Sequence, residues 1–152
     1  MESKNKTILV TASAKRLGKF IAIDLIKKGW KVAIHYNKSK ILAEDTADYL
    51  FKIGGNVSLH QADLTCNSDI EKLINEIESQ DSKWVGLINN AGYFNYDNGT
   101  SFKVEDLQNH ISVNFIAPTL LTQALAKYTI KRGKQKNISQ GFVINILDAK
   151  IF

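Results

Sequence analysis

The sequence predicts an α/β fold built on a doubly wound parallel sheet. Three observations carry that expectation. Five short runs of β-branched and aliphatic residues are separated by segments whose apolar residues recur at helical spacing. The centres of the runs, Ile8-Leu9-Val10 and Val32-Ala33-Ile34 among them, are apolar throughout, as strands covered on both faces require. Small, polar and cationic residues collect just after the runs, where such sheets bind ligands.

The first run, within Thr7–Val10, leads through a short turn into a helix opening at Arg16–Gly18, with Leu17, Phe20, Ile21, Leu25 and Ile26 on one stripe. Lys27 and Lys28 suit the negative end of that helix, and Gly29 suits its C-terminal turn. Trp30–Tyr36 reads as a second, central strand. Residues 38–53 read as a second helix with Ile41, Leu42, Tyr49, Leu50 and Ile53 inward, ended by Gly54-Gly55. Asn56–Gln61 is a third strand with Val57 and Leu59 on one face. Ser68 and Glu71 have capping-box spacing before a helix that buries Ile70, Leu73, Ile74 and Ile77. Trp84–Asn89 is a fourth strand, and Asn90–Thr100 is a loop. Phe102 to about Lys131 is helical, with a kink or break expected at Pro118. A polar, basic connection over Gly133–Gln140 precedes a fifth buried strand, Phe142–Leu147.

The 152 residues suffice for one domain with a real core. Twenty basic against 15 acidic side chains give a formal charge of +5, which favours anionic ligands. The cluster Lys127, Lys131, Arg132, Lys134 and Lys136 reads as a solvated face, so no nucleic-acid partner is expected. A single cysteine, Cys66, excludes an internal disulfide and suits a reducing compartment. His35, His60 and His110 are far apart and no Cys-x-x-Cys accompanies them, so no metal site is expected. No apolar run approaches the ~18 residues of a membrane span. The expectation is a cytoplasmic protein with no membrane partner.

The strand ends carry the chemistry. Thr11, Ser13, Lys15, Arg16 and Gly18 follow the first strand and open a helix, whose free N–H groups and dipole favour a phosphate. His35, Tyr36, Asn37, Lys38 and Ser39 follow the second strand without the carboxylate that would accept from a ribose 2′-hydroxyl. A cation and hydroxyls suit a 2′-phosphate, hence NADP(H) rather than NAD(H). Asp63-Leu64 follows the third strand, and its carboxylate could accept from an adenine amino group. Asn90-Ala91-Gly92 follows the fourth and is small enough for close approach of a ribose; Asp148 follows the fifth.

Together, VTASAKRLG at 10–18, HYNKS at 35–39, ADL at 62–64, NNAG at 89–92, VNFIAP at 113–118 and VINILDA at 143–149 cover nearly the whole chain. In order and spacing the sequence resembles the N-terminal part of a short-chain dehydrogenase/reductase, most closely the pteridine reductase branch. The resemblance implies a Rossmann-type domain over residues 1–152, incomplete at its C-terminus. It implies that Arg16 and Leu17 line a pyrophosphate and that His35, Tyr36, Asn37, Lys38 and Ser39 hold the 2′-phosphate. Asp63 and Leu64 would contact adenine, and Asn90 and Ala91 a ribose. Phe94 matches an aromatic that stacks on a pterin. Asn114 matches the helix asparagine that supports the family's proton relay, and Asp148 stands where the branch has a catalytic aspartate.

Two departures qualify the match. Ala12 replaces the glycine that follows the family's turn threonine. If that position needs φ > 0, alanine costs about 1 kcal/mol or more. The family's Tyr-x-x-x-Lys lies downstream of the fifth strand, and Tyr128, followed by Lys131 and Arg132, precedes that strand. The expectation is therefore an NADP(H)-dependent oxidoreductase-like chain for a small-molecule substrate, a pterin or a carbonyl compound. It would be inactive alone and would need a C-terminal partner polypeptide; an oligomer is compatible with this. The alternative is a non-catalytic truncated remnant or nucleotide-binding fragment.

Overall fold

A computed structural model describes residues 5–80, 82–96, 98–136 and 140–147, with backbone alone for 133–136. The chain runs β1 (Lys6–Val10), α1 (Arg16–Lys27), β2 (Lys31–Tyr36), α2 (Lys40–Lys52), β3 (Val57–Gln61) and α3 (Asn67–Glu78). It continues through β4 (Lys83–Asn89), α4 (Val104–Ile111), a π-helical segment (Ser112–Ile116), α5 (Ala117–Lys136) and β5 (Phe142–Asn145). The strands form one parallel sheet in the order β3-β2-β1-β4-β5.

Strand side chains alternate between two cores, as the double winding requires. Ile8, Val10, Val32, Ile34 and Ile88 pack against Ala22 and Ile26 of α1 and Ala47 and Leu50 of α2. Leu9, Ala33 and Leu87 pack on the other face with Ile70, Leu73 and Ile77 of α3 and Leu121 and Leu125 of α5. Between β1 and β4 the register slips: Thr7 pairs with Trp84 but Ile8 with Gly86. The bulge leaves Trp84 fully buried, its ring N–H donating to the Gly86 carbonyl at 2.9 Å.

The helix boundaries follow the local chemistry. Gly29, at φ 83°, ends α1 in a Schellman turn: its N–H donates to the Ile26 carbonyl and the Trp30 N–H to that of Leu25. Gly54 and Gly55 close α2 through the Phe51 and Leu50 carbonyls. In α3 the expected capping box is absent; Cys66 is the N-cap residue, no side chain caps the turn, and Ser68 lies inside the helix. The expected interruption near Pro118 takes the form of the π-helical segment just before it. The α5 helix then runs on into residues expected to form a basic connection.

Three inward faces differ from expectation. Leu17 and Phe20 of α1 are exposed, and Gly18, Ala22 and Ile26 face the sheet. Of the residues expected inward, Ile41, Leu42 and Tyr49 of α2 and Ile53 just beyond it are exposed, while Ala43, Thr46, Ala47 and Leu50 are buried. The buried residues recur at i, i+4 and i+8 in α1 and at i, i+3, i+4 and i+7 in α2. The small ones among them, Gly18, Ala22, Ala43, Thr46 and Ala47, bring each helix backbone close to the sheet, so bulk did not mark the buried side. Finally, β5 is a four-residue strand, not a buried run through Leu147, and all its residues are exposed. Its outer edge has no strand partner among the described residues.

Candidate functional site

The strand order reverses between β1 and β4: from β1 the chain winds outward to β2 and β3, then crosses to β4 on the other side. The crevice at the carboxyl ends of these two strands is where open α/β sheets take ligands. Thr11 and Asn90, 79 positions apart in sequence, face each other across it. The Thr11 hydroxyl accepts from the Asn90 N–H at 2.9 Å and from the Ala91 N–H at 2.8 Å. In return the Asn90 carboxamide donates to the Thr11 carbonyl at 2.9 Å and to the Ala12 carbonyl at 3.3 Å.

The turn itself is left-handed at two positions that are not glycine: Ala12 has φ 52° and Arg16 has φ 51°. The condition set for Ala12 therefore holds, and the alanine bears a strain of about 1 kcal/mol. Gly18 has no such freedom to lose, yet it is required for another reason. A Cβ there would stand 2.6 Å from the Ala12 carbonyl oxygen and 2.7 Å from the Asn90 carboxamide nitrogen. Lys15, Arg16 and Leu17 are exposed over this turn. Ser13 is fully buried, its hydroxyl donating to the Val10 carbonyl at 2.7 Å.

His35 is likewise internal. It is 2% exposed, its Nδ1 accepts from the Ala12 N–H at 3.0 Å, and its Nε2 lies 3.1 Å from the Ala62 carbonyl. That pairing defines a neutral ring with the proton on Nε2. Burial pushes its pKa down to about 4. Tyr36 packs among Ala14, Ala43 and Leu59. Asn37 and Lys38 are exposed and Ser39 is half-buried, so this stretch presents its polar side chains only from Asn37 onward.

At the end of β3, Asp63 accepts from the Thr65 N–H at 2.9 Å and the Thr65 hydroxyl at 2.7 Å. These bonds hold its carboxyl below the ordinary range, with smaller contributions from Asn37 and Lys38. The ends of β2 and β3 thus meet as one polar rim. Leu64 is buried in the core against α3, leaving its backbone to the rim.

On the far side of the crevice, Gly92 is exposed and Asn114 lies in the π-helical segment. Phe94 is exposed, 5.0 Å edge-on from Tyr96 and 6.2 Å from His110. His110 also meets the Tyr93 ring edge-on at 4.9 Å. The Tyr93 hydroxyl donates to Asp106 at 2.7 Å, which holds the phenol above and the carboxyl below their usual values. This ring cluster and its anchor were not anticipated from the sequence; no spacing pattern links the loop to α4. Asp148 lies outside the described residues. Tyr36 and Lys40 do have Tyr-x-x-x-Lys spacing, but Tyr36 is buried at the end of β2 and Lys40 begins α2.

The donor set fits a phosphorylated nucleotide. Cations at Lys15, Arg16 and Lys38 surround a rim whose β2 end carries no carboxylate, and a Cβ-free cradle lies at Gly18. Among the described residues, no three His, Cys, Asp or Glu side chains gather as a metal site, and no helix is long and apolar enough to cross a membrane.

A family model described as short chain dehydrogenase matches residues 6–147. A short-chain dehydrogenase/reductase homologue of Bacillus subtilis, YusS, is 36% identical over 91 residues, which is 60% of this chain and 84% of that protein. A 3-oxoacyl-(acyl-carrier-protein) reductase of Synechocystis is 29% identical over 138 residues, 91% of this chain and 53% of its own. Among solved structures, FolM alternative dihydrofolate reductase 1 from Brucella canis, complexed with NADP, superposes with a TM-score of 0.84 at 31% identity. It is covered to 55%, against 95% of this chain. A short-chain dehydrogenase from Sphingobium yanoikuyae in complex with NADPH shares the fold, with a TM-score of 0.83, 24% identity, and coverage of 95% of this chain and 54% of that one. The chain thus spans about half the length of these last three relatives.

Proposed function

Because this chain belongs to the short chain dehydrogenase family, we propose that residues 1–152 are an NADP(H)-binding domain of an oxidoreductase that reduces a carbonyl or a pterin C=N bond. The observation that carries this is the braced crevice between Thr11 and Asn90–Ala91, flanked by an acid-free β2 end.

In this reading the turn at 12–18, with Lys15 and Arg16, receives the pyrophosphate. Asn37, Lys38 and Ser39 receive the 2′-phosphate, and Asp63 accepts from the adenine amino group. Asn90 and Ala91 line a ribose, and the absent side chain at Gly92 leaves room beside it. Thr11, Ser13, Gly18, His35, Tyr36 and Leu64 act from beneath, by fixing the backbone that meets the nucleotide. When bound, the cofactor supplies a hydride to the electrophilic carbon of the substrate. Phe94 offers a ring face to a flat substrate, and Asn114 and Asp148 serve the proton side of the reaction. The likeness to an alternative dihydrofolate reductase complexed with NADP supports the pterin branch and the choice of NADP(H).

A second reading, a nucleotide-binding fragment with no turnover of its own, is favoured by the partial exposure of the apolar β5 residues, 38% for Phe142, 36% for Val143 and 45% for Ile144. A partner polypeptide carrying the Tyr-x-x-x-Lys segment would add at that edge and complete the enzyme. Fluorescence titration with NADPH, with NADH as control, tests the binding reading. Tighter binding of NADPH supports it, and equal affinities overturn the 2′-phosphate assignment. NADPH consumption with a dihydropterin or a carbonyl substrate then separates the two readings.

A further inference from the structure

We infer that His35 is a positioning residue that holds Ala12 in the left-handed conformation needed for nucleotide binding. This rests on the nucleotide reading of the site and assigns His35 a different part from contact with the 2′-phosphate.

Ala12 is held at both backbone polar groups. Its N–H donates to His35 Nδ1 at 3.0 Å, and its carbonyl accepts from the Asn90 carboxamide at 3.3 Å. A left-handed alanine relaxes toward φ < 0 unless its surroundings over-determine it. Relaxation would strip the N–H of its buried acceptor and move the carbonyl that packs over Gly18, 2.6 Å from where a Cβ would be. His35 is itself fixed from the other side, Nε2–H donating to the Ala62 carbonyl at 3.1 Å at the end of β3. The Ser13 N–H donates to the His35 carbonyl at 3.0 Å. One buried side chain therefore ties the ends of β1, β2 and β3 and holds one of the two left-handed non-glycine residues of the turn. A glycine at position 12 would not need this hold.

The test separates the two ring nitrogens. In His35→Asn the carboxamide oxygen can replace Nδ1 as acceptor for Ala12, and the donor to Ala62 is lost. In His35→Gln the longer side chain can reach Ala62 but presents no acceptor at the Nδ1 position. NADPH affinity is expected to stay within about threefold of wild type in H35N and to fall about tenfold or more in H35Q. Adding Ala12→Gly to H35Q should restore most of the loss, whereas Ala12→Gly alone should leave affinity unchanged or improved. Affinity in H35Q equal to wild type, or no recovery in a folded H35Q/A12G chain, would overturn the inference. Hydrogen exchange at the Ala12 amide, without nucleotide, gives an independent readout: fast in H35Q, slow in H35N. If the wild-type chain binds neither NADPH nor NADH, the nucleotide reading fails. Equal Ala12 exchange in H35N and H35Q would then also overturn the His35 assignment.

Discussion

Asn114 closes both polar groups of its carboxamide on one residue. Its Oδ1 accepts from the Tyr93 N–H at 2.8 Å, and its Nδ2 donates to the Tyr93 carbonyl at 2.8 Å. The pairing has the pattern of one rung of a strand ladder, made by a side chain from a π-helical segment 21 residues away. It fixes the loop carrying Phe94 against that segment.

Replacing Asn114 by alanine should therefore loosen the loop rather than the fold. A cost of about 1–2 kcal/mol is expected, since both bonds are partly solvated. Hydrogen exchange at the Tyr93 amide should accelerate, and the sheet amides should keep wild-type protection. Asn114→Asp keeps the acceptor but sets a carboxylate against the Tyr93 carbonyl, so it should be at least as disruptive.

Ala12→Gly should stabilise the protein. Removing a Cβ from a residue at φ 52° relieves roughly 1 kcal/mol, partly offset by the greater freedom of glycine when unfolded. For a chain of this size the midpoint of thermal unfolding should rise by about 2–3 °C.

Gly18→Ala should do the opposite and more. The added Cβ would meet two backbone atoms of the turn, the Ala12 carbonyl oxygen and the Ser13 Cα at 2.7 Å, neither of which is a flexible tip. A loss of about 2–3 kcal/mol is expected, in the range of overpacked sites. NADPH titration of the folded variant should show weakened binding.

Stability should fall as the pH drops below neutrality. His35 is neutral in the folded chain down to about 4, while in the unfolded chain it takes up a proton near 6.5. Between those values the unfolded state binds more protons, so unfolding becomes easier as pH falls, by about 3 kcal/mol at most. Asp63 is shifted down instead, so its contribution is present above its ordinary value of 3.8 and is lost below it. Chemical denaturation from pH 7 to 4.5 should show the His35 slope, and the slope should flatten in H35N.

Lys38→Ala should cost NADPH about tenfold in affinity and leave NADH nearly unchanged, because only NADPH carries the 2′-phosphate. An equal loss for both nucleotides would move Lys38 away from that phosphate.

The sheet was legible because buried parallel strands announce themselves as apolar runs, and Ile8-Leu9-Val10 and Val32-Ala33-Ile34 sit where their composition predicts. The faces of α2 were not, because Ala43, Thr46 and Ala47 carry little hydrophobic weight beside Ile41 and Tyr49. Site positions were legible as strand ends, whereas the direction of each side chain was not. Thr11, His35 and Asn90 look like ligand groups by chemistry. They spend that chemistry on the protein's own backbone, Thr11 and Asn90 on each other and His35 on Ala12 and Ala62, through contacts between 23 and 79 positions apart.

The bulge opposite Thr7 and Ile8 lets Trp84 face the same side of the sheet as Leu87. Trp84 and Leu87 share one core although three positions separate them, and in an unbroken strand an odd separation puts side chains on opposite sides. Val85 is the extra residue that makes the separation odd, and the bulge absorbs it. Deleting it would leave Trp84 and Leu87 two positions apart in a regular strand, with Thr7 still opposite Trp84 and Ile8 opposite Gly86, so the seat of Trp84 in the α3–α5 core does not depend on the residue that the bulge adds.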